Sequence, residues 1–552
     1  MTPKLHFFFT LHPLPSNLIS LAMELNIFFL LLIYILLLII SRFLLTRYRN
    51  HLVKSVNLPP SPIALPLLGH LYLLGPLLHQ SFQNLSNKFG PLIHLQLGSL
   101  GPVVVASSPS MAREFLKTQE LNFASRPRLL GSEYTGEGSS GFTFTPYGPY
   151  WKFMKKLCIT ELFSTKKLNY FSTIRHEEIR FFLISLLEKS KLDEPIDMEV
   201  ALTALTNNII CRMAMSTRCS GSTNEAEECR EIVKELIVVA GKLNLVHILG
   251  IFGSFDLFGY GKRLGEVHRR YMVMVERIMK DHEEKRKDHH RGAWECNEED
   301  DLMDILMKIS EDDKAEMQLS RDDIKAFLQW PVANTFLKLY QDIFAAGTET
   351  SSVALQWALA ELINNPHVFK KAREEIESVV GTDKLVQESD IPNLPYIQAI
   401  VKETLRLHPT APVILRECNK DCNIEGYDIL NKTKIFINIW AIGRDPKYWE
   451  NPLEFKPERF LNQEAFVDGK GVQFQLLPFG SGRRSCPGEP LALHVMHVTV
   501  ASMVQCFDWR ISGSIGKQAG VDMKERPGFT LRMASPLQCI PRSHCAPFYI
   551  SS

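Results

Sequence analysis

The residue with the most distinctive chemistry is Cys486, which lies in the glycine-rich segment PFGSGRRSCPG at positions 478–488. Its glycines give the backbone freedom to approach a flat ligand closely. The apolar stretch that begins at Pro490 predicts a helix, and the N-terminus of a helix favours a thiolate at Cys486. Such a thiolate is a soft ligand for iron, and on haem iron it favours cleavage of the O–O bond. Taken alone, the cysteine is equally compatible with a small buried apolar residue.

A second group of residues predicts buried ion pairing. Glu403 and Arg406 are three residues apart, so their side chains share one face of a helix. In isolation they would form an ordinary surface ion pair, but Arg459, in the segment PERF, supplies a further cation. Charged groups inside a fold must be paired. We therefore expect these three residues to form a structural lock beside the cysteine segment, without a part in catalysis.

Four motifs, in a fixed order along the chain, carry a resemblance to a known family. AGTETS at 346–351 resembles the oxygen-binding helix motif of the cytochrome P450 monooxygenases. ETLR at 403–406 resembles their E-x-x-R helix, and PERF at 457–460 resembles the segment that follows it. FGSGRRSCPG at 479–488 resembles their haem-binding signature. The resemblance extends over about residues 58–540.

The resemblance implies haem b as the cofactor and assigns the residues that hold it. Cys486 is then the axial ligand of the iron, and Arg484 pairs with a haem propionate. The other haem-binding residues that it implies are Phe479, Gly482, Gly488, Trp151, Lys155 and Arg416. Lys155 stands where the W-x-x-x-R motif of the family commonly has arginine. A lysine pairs with a carboxylate as a point charge, without bidentate geometry.

The resemblance also implies which residues handle oxygen. A threonine in the middle of a helix usually bonds back to the preceding turn. In the family, the threonine that Thr350 matches faces the distal side of the iron. Its hydroxyl, with the acidic neighbour that Glu349 matches, relays protons to dioxygen there. Ala346 and Gly347 are then expected to leave space for oxygen against the helix backbone.

The N-terminal part of the sequence predicts a membrane anchor. The stretch 25–45 is almost wholly apolar and long enough to cross a hydrocarbon core of about 30 Å. Basic residues follow it, which places the rest of the chain in the cytosol. We expect residues 1–22 to be an upstream extension that precedes a functional start at Met23. Residues 23–50 would then be a single-pass anchor in the endoplasmic reticulum membrane, and residues 51–66 a proline-rich hinge.

The composition fits one globular catalytic body over residues 67–552. Hydrophobic residues make up 45% of the chain and charged residues 22%, as in ordinary globular proteins. The formal net charge of +1 excludes a basic field that would recruit nucleic acid. Between Trp151 and Arg406 the pattern is mainly helical, apart from a charged stretch at 281–301 that we expect to be solvated. The prediction is a mainly α fold with a small β region, the cytochrome P450 fold, preceded by one transmembrane helix.

One segment departs from the resemblance. If Gln329 were joined to Asp342, the apolar residues on both sides would form one helix face. The residues between them, WPVANTFLKLYQ at 330–341, contain a helix-breaking proline. We interpret this segment as an insertion, and favour a gene-model error over a real loop. A real insertion would interrupt the oxygen-binding helix just before its motif.

Together these features predict an NADPH- and O2-dependent haem-thiolate monooxygenase that hydroxylates a hydrophobic plant specialised metabolite. The resemblance implies that electrons come from NADPH through a separate NADPH–cytochrome P450 reductase, and the lack of a dinucleotide-binding fingerprint in the chain is consistent with this. The segment 206–221 resembles the plant branch that oxidises triterpenoids and flavonoids, and we favour a triterpenoid. Two alternatives stay open. One is a haem-thiolate isomerase or dehydratase. The other is a haem-binding membrane protein whose catalysis is impaired by the insertion at 330–341.

Overall fold

The computed structural model describes a large part of the chain. It covers residues 56–66, 68–127, 145–218, 260–289, 300–320, 344–461, 474–512, 520–528 and 530–547, with Ile324 and part of the stretch 29–41. The predicted extension at 1–22 and the predicted insertion at 330–341 lie outside these residues. Those residues of the stretch 29–41 that are described are helical. Across the described part of the chain, no helix combines the length and the apolar character that crossing a membrane requires.

Helices predominate in the described residues, as the sequence predicts. In chain order they are α1 (Leu78–Phe89), α2 (Pro109–Arg113), α3 (Pro149–Leu157), α4 (Thr165–Tyr170), α5 (Ser172–Leu192), α6 (Met198–Met215), α7 (Tyr260–His289), α8 (Leu302–Glu311), α9 (Phe344–Asn364), α10 (Pro366–Val379), α11 (Pro395–Leu407), α12 (Ile439–Ile442) and α13 (Glu489–Cys506). Short 3-10 turns at Glu120–Phe123 and Pro457–Phe460 lie near the predicted site.

The strands are short and form small sheets. In chain order they are β1 (Leu92–Leu97), β2 (Gly101–Ala106), β3 (Ile196–Asp197), β4 (Val413–Glu417), β5 (Cys422–Ile424), β6 (Tyr427–Ile429), β7 (Lys434–Asn438), β8 (Phe507–Ile511), β9 (Glu525–Arg526), β10 (Arg532–Met533) and β11 (Gln538–Ser543). The largest sheet has the order β1-β2-β7-β4, in which only the β2–β7 pairing is parallel. A second sheet has the order β3-β11-β8, and two further sheets are two-stranded.

The helix α9 lies at the centre of the helical core. Its residues Trp357, Ala358 and Leu359 are consecutive and completely buried. Because consecutive positions point in different directions around a helix, this burial indicates a helix enclosed on all sides. Helices α6, α11 and α13 pack against it. The oxygen-binding motif predicted at 346–351 lies in the first turns of this central helix.

Local sequence signals explain where the helices around the site begin and end. The Asp197 carboxylate accepts a hydrogen bond from the N–H of Val200 at 3.2 Å and caps α6, which ends at Ser216 in a left-handed conformation. Helix α11 has Pro395 in its first turn, where a missing N–H costs nothing. Helix α13 begins directly after Gly488. The predicted helix behind Cys486 is therefore present.

The prediction that the charged stretch 281–301 is solvated is wrong for two of its residues. His282 lies within α7, which continues to His289, and its side chain is buried. Asp301, directly before α8, is also buried. The ring of His282 hydrogen-bonds to Asp304 at 3.0 Å and to the carbonyl of Met215 at 3.1 Å. Pairing across three helices removes these charges from water, which composition alone does not reveal.

Candidate functional site

The segment around Cys486 is a tight, internally bonded loop. The N–H of Cys486 donates to the carbonyl of Phe479 at 2.9 Å, and the N–H of Ser485 donates to the carbonyl of Gly482 at 2.9 Å. Gly480 and Gly482 have φ values of 72° and 75°, which a residue with a side chain adopts only at a cost. The glycines predicted from the sequence are therefore required by the backbone conformation of the loop.

Gly482 is also required by its surroundings. A β-carbon there would lie 2.4 Å from the carbonyl oxygen of Leu116 and 2.5 Å from the carboxylate of Glu120. The same carboxylate accepts a hydrogen bond from the N–H of Arg483. Glu120, in the 3-10 turn Glu120–Phe123, thus holds the backbone of the cysteine loop. The sequence analysis did not identify this residue, because its contact with the loop spans most of the chain.

The thiol of Cys486 lies on the wall of an internal space. Cys486 is accessible at its surface, yet burial is the main effect on its thiol and raises its pKa. A group that is accessible and still desolvated is one that faces a cleft enclosed by protein. The N–H of Gly488 and the charge of Lys155 act in the opposite direction and favour the thiolate. A metal ion would complete the deprotonation, since cysteine binds metals as the thiolate.

Buried cations lie beside this thiol. The Nε of Arg484 donates to the carbonyl of Ala124 at 2.7 Å, and its guanidinium lies 4.3 Å from the centre of the Trp151 ring. Burial and the nearby charge of Arg126 lower the pKa of Arg484 to about 9. Arg416, in β4, is only 3% exposed, and burial together with Arg126 and Arg484 lowers its pKa far below the usual range. These cations repel one another at the positions where they are held.

Lys155 completes this group of cations. Its Nζ donates to the carbonyl of Ser485 at 2.9 Å and to the carbonyl of Arg483. Burial lowers its pKa to about 8, Cys486 opposes that shift, and the charges of Arg416 and Arg484 add to it. Lys155 therefore binds the backbone of the cysteine loop, a contact that the prediction of a propionate partner did not include.

The chemistry of this donor set fits a haem. A soft thiolate ligand faces an internal space at the N-terminus of a helix, where an iron ion can be held. Arg416, Arg484 and Lys155 place positive charge beside it, and two propionate carboxylates would satisfy that charge. Arg416 makes this point best, because its guanidinium is buried and, among the residues that the structure describes, its Nη1 donates only to the adjacent carbonyl of Leu415, at 2.8 Å.

The three residues of the predicted structural lock lie together. The carboxylate of Glu403 lies 2.7 Å from Nε of Arg406 and 2.9 Å from Nε of Arg459. The side chains of Glu403 and Arg406 are completely buried, and Glu403 also accepts a hydrogen bond from the N–H of Lys456 at 2.9 Å. Arg406 further donates to the carbonyl of Gly443 at 2.6 Å. The cluster thereby ties α11 to the segment that precedes the cysteine loop.

The two residues predicted to handle oxygen, Thr350 and Glu349, are both hydrogen-bonded to other groups of the protein. The hydroxyl of Thr350 donates to the carbonyl of Ala346 at 2.5 Å, one turn back along α9. The carboxylate of Glu349 accepts a hydrogen bond from Nε of Arg532 at 2.6 Å, and Nη1 of Arg532 donates to Glu199 at 3.0 Å. Glu349 thus belongs to an ion-pair network with Arg532 and Glu199, and Thr350 makes the back-bond that mid-helix threonines commonly make.

The position that a β-carbon at Gly347 would take is filled by a neighbouring helix. A β-carbon at Gly347 would lie 2.7 Å from Cδ1 of Ile210 in α6. On that side the glycine leaves room for a neighbouring helix and not for oxygen. The sequence carried a signal for this contact, because Thr203, Thr206, Asn207 and Ile210 recur at helical spacing and share one face of α6.

A mainly helical fold with an enclosed thiol at a helix N-terminus, and buried cations beside it, defines the class of haem-thiolate proteins. The chain belongs to one family of that class: the sequence model described as "Cytochrome P450" matches residues 59–532. A zebrafish cytochrome P450, solved with abiraterone, has the same fold. Its TM-score is 0.66 at 24% sequence identity, and the match covers 85% of this chain and 99% of that one.

Curated plant proteins resemble the chain along most of its length. The 3,9-dihydroxypterocarpan 6A-monooxygenase of Glycine max is 45% identical over 498 residues, which are 89% of this chain and 94% of that protein. The beta-amyrin 24-hydroxylase of Glycine max is 46% identical over 501 residues, which are 90% of this chain and 94% of that protein. The protein is therefore a cytochrome P450 monooxygenase, and its family implies a haem iron, dioxygen, a hydrophobic substrate and a redox partner.

Proposed function

We propose that this cytochrome P450 hydroxylates a plant triterpenoid, with a flavonoid as the second candidate. The names of two relatives support this choice, since one hydroxylates beta-amyrin and the other a dihydroxypterocarpan. We further propose that NADPH supplies the electrons through a separate membrane-bound reductase. The observation that carries the proposal is the enclosed but accessible thiol of Cys486 at the N-terminus of α13.

Each residue of the site has a task in this proposal. When bound, the haem iron supplies the oxygen-activating chemistry of a thiolate-ligated centre. Cys486 would hold the iron through its sulfur, and Arg416 and Arg484 would hold the propionates by charge-assisted hydrogen bonds. Lys155 adds positive charge nearby, while its Nζ binds the backbone of the cysteine loop. Arg484 also shields the Trp151 face of the site from water, because its guanidinium stacks on that ring. The Glu403 cluster fixes the position of the cysteine loop.

We propose that Thr350 and Glu349 hold and pass protons at the oxygen-binding motif of α9. The hydroxyl of Thr350 is both donor and acceptor. While it donates to the carbonyl of Ala346, its oxygen can still accept a hydrogen bond from another group in the site. The carboxylate of Glu349 is bound by Arg532, so its oxygens become available to the site only when that ion pair opens. Proton supply is thus coupled to the ion pair between α9 and β10.

We also propose that the chain is anchored in the endoplasmic reticulum membrane with its catalytic body in the cytosol. The apolar side chains of Phe29, Leu30 and Tyr34 are 58%, 66% and 61% exposed, so the body of the protein does not bury them. A lipid phase would remove this apolar surface from water. A variant that lacks residues 1–50 should move from the microsomal to the soluble fraction, whereas equal retention of both forms would count against the anchor.

The haem-thiolate assignment is tested by spectroscopy on the purified protein. We expect the reduced protein to give the red-shifted Soret band of a thiolate-ligated haem after carbon monoxide is added. Cys486→Ala should abolish the band, and Cys545→Ala, which alters another partly buried thiol, should retain it. A folded protein without porphyrin, or a band that persists in Cys486→Ala, would refute the assignment.

The substrate is tested with microsomes that contain the protein and its reductase. β-Amyrin, 3,9-dihydroxypterocarpan and a flavanone are supplied in parallel, with and without NADPH. The proposal predicts an NADPH-dependent product of β-amyrin that carries one additional oxygen atom. If the flavanone or the pterocarpan is hydroxylated and β-amyrin is not, the substrate is a flavonoid, the second candidate.

The segment 330–341 enters this test as a separate variable. Full-length protein and a variant without residues 330–341 are compared in the same assay. Activity in the full-length form would exclude the catalytically impaired alternative. Activity confined to the shortened form would show that the segment blocks oxygen activation. A product that forms without NADPH or reductase would instead favour the isomerase or dehydratase alternative.

A further inference from the structure

We infer that α6 positions the oxygen-handling motif of α9 through Thr206 and Asn207. This inference rests on the proposed function, because it takes the motif at 346–351 as the part of the chain that handles oxygen. Neither residue is expected to contact haem, oxygen or substrate. They are positioning residues, which act through the backbone and side chain of Thr348.

Four residues of α6 form one face of that helix. Thr203, Thr206, Asn207 and Ile210 have the spacing i, i+3, i+4 and i+7, which places them on a single stripe. The stripe faces α9, because each member contacts that helix or lies against a residue that does. Three of the four are polar: Thr206 is buried, and Thr203 and Asn207 are half-buried. Polar side chains inside a fold are costly unless they are hydrogen-bonded.

Those hydrogen bonds go to the motif itself. The hydroxyl of Thr206, which is 2% exposed, has three carbonyl acceptors within reach: Thr348 of α9 at 2.8 Å, and Leu202 and Thr203 of its own helix at 3.0 Å and 3.2 Å. It has one proton to donate, and the shortest of these contacts is the one to Thr348. The hydroxyl of Thr348 donates to the side-chain oxygen of Asn207 at 3.3 Å. The hydroxyl of Thr203 donates to that of Ser352 at 3.2 Å, one turn further along α9. Three bonds therefore fix the height and the rotation of α9 against α6.

The motif at 346–351 needs this support because side-chain hydroxyls compete with backbone N–H groups for its helix carbonyls. The hydroxyl of Thr350 donates to the carbonyl of Ala346, and the hydroxyl of Ser352 donates to the carbonyl of Glu349 at 3.0 Å. Hydroxyls that bond to helix carbonyls in this way compete with the backbone N–H groups and tend to bend a helix. The first turns of α9 are thus less rigid by themselves than an alanine-rich helix, and α6 supplies the missing constraint.

The constraint acts on the opposite side of the helix from Thr350. Each residue advances about 100° around a helix, so Thr348 and Thr350 point about 200° apart. Thr348 faces α6, and Thr350 therefore points away from it. A change in the bonds of Thr348 would turn or lift the helix and displace the hydroxyl of Thr350 by the same movement. This is how a residue that touches no substrate can alter proton delivery.

The primary test replaces the hydroxyl of Thr206 by a methyl group. Thr206→Val keeps the shape of the side chain and removes the bond to Thr348. Thr206→Ser restores a hydroxyl, and Thr217→Val is the matched control, because it removes a hydroxyl that bonds to the carbonyl of Met215 just beyond α6. All variants are made in the full-length protein, reconstituted with reductase and NADPH, and supplied with β-amyrin, the substrate tested for the proposed function. The readouts are the carbon monoxide spectrum and the hydrogen peroxide formed per NADPH oxidised.

We expect Thr206→Val to retain the thiolate-type spectrum and to release more hydrogen peroxide per NADPH. An increase of roughly fivefold corresponds to the loss of one typical hydrogen bond. Thr206→Ser should return the ratio towards that of the wild type, and Thr217→Val should leave it unchanged. A purely structural role for Thr206 would lower the amount of folded haem protein without changing the ratio.

A second variant keeps the inference falsifiable if Thr206→Val does not fold. Thr348→Ala removes the bond to Asn207, keeps the backbone carbonyl, and is judged by the same ratio. An unchanged peroxide ratio in folded Thr206→Val or, failing that, in folded Thr348→Ala overturns the inference. Failure of the proposed function looks different, because the wild type itself would then lack the thiolate spectrum or would not oxidise NADPH.

Discussion

The side chain of Ile210 in α6 occupies the position at which Gly347 in α9 would carry a β-carbon. The distance from that position to Cδ1 of Ile210 is 2.7 Å, and to Cγ1 it is 2.9 Å. Contacts this close do not occur between carbon atoms without displacement of one partner. The two helices therefore approach each other as nearly as a glycine permits, at the start of the oxygen-binding motif.

This contact predicts a size-dependent effect on stability. Gly347→Ala should lower the free energy of unfolding by about 1–3 kcal/mol, because the new methyl group overpacks a closed interface. Ile210→Ala should cost less in the presence of Gly347→Ala than it does alone, because the new methyl group partly fills the space that the shortened side chain leaves. Denaturant unfolding of the two single variants and the double variant gives the coupling between the positions.

The control for this cycle is Gly75→Ala, whose β-carbon would make an ordinary contact of 3.5 Å with Ser81. It should change the free energy of unfolding by less than about 0.5 kcal/mol. Additive effects of Gly347→Ala and Ile210→Ala would show that the two residues do not compete for the same space.

The buried lock predicts a second and larger effect. Glu403→Gln removes the negative charge that neutralises Arg406 and Arg459, and it leaves two guanidinium groups paired only with neutral acceptors. The loss should be roughly 3–5 kcal/mol in free energy of unfolding, as for other broken buried pairs. Glu194→Gln is the matched control, because it breaks an exposed pair with Lys189, and it should cost less than about 1 kcal/mol. Similar losses in both variants would contradict the lock.

Some of these relationships follow from short-range spacing and could be read from the sequence. Glu403 and Arg406 pair because three residues bring them to one helix face. Cys486 lies at a helix N-terminus because glycine and proline end one element and start the next. The mainly helical fold is predicted for the same reason, since periodicity is a local property. In each case the causes lie within a few residues of the effect.

Other relationships depend on which elements meet, and the sequence does not contain that information locally. The polar stripe of α6 indicates an interface, but it does not identify α9 as the partner. Glycine at position 347 indicates a close approach, but it does not identify Ile210 of α6 as the neighbouring side chain. Glu120 reaches the cysteine loop across most of the chain. Because the stretch 281–301 is highly charged, its sequence likewise does not reveal that His282 is buried and paired.

The pairing of His282 predicts a pH-dependent stability. Burial disfavours its charged form, but the hydrogen bond to Asp304 and the charge of Asp301 outweigh burial and raise its pKa above 6.5. Both ring nitrogens donate, one to Asp304 and one to the carbonyl of Met215. Burial raises the pKa of Asp301 to about 6, so Asp301 is ionised above that pH. The protonated ring then joins α7 to the ends of α6 and α8.

A base whose pKa is higher in the folded state stabilises the fold while it is protonated. For His282 this stabilisation is present below its ordinary pKa of 6.5 and is lost as the pH rises through the raised value. His282→Gln should therefore be less stable than the wild type near about pH 6, and the difference should shrink at higher pH. Denaturant unfolding across this range measures it, with His544→Gln, at an exposed pair with Glu377, as the control. A difference that does not vary with pH would refute a protonated ring.

The buried cations predict effects of opposite sign with and without haem. In the haem protein, Arg416 is expected to neutralise a propionate, so Arg416→Leu should accelerate haem transfer to excess apomyoglobin by roughly tenfold, the equivalent of one charged hydrogen bond. Without haem, burial and the charges of Arg126 and Arg484 disfavour the charged form of Arg416, and the same substitution should raise the free energy of unfolding. Arg510→Leu, which alters an exposed pair with Asp193, should do neither. Because a residue that merely supports packing would lower stability in both forms, the reversal of sign identifies Arg416 as a charge held in place for an anionic ligand.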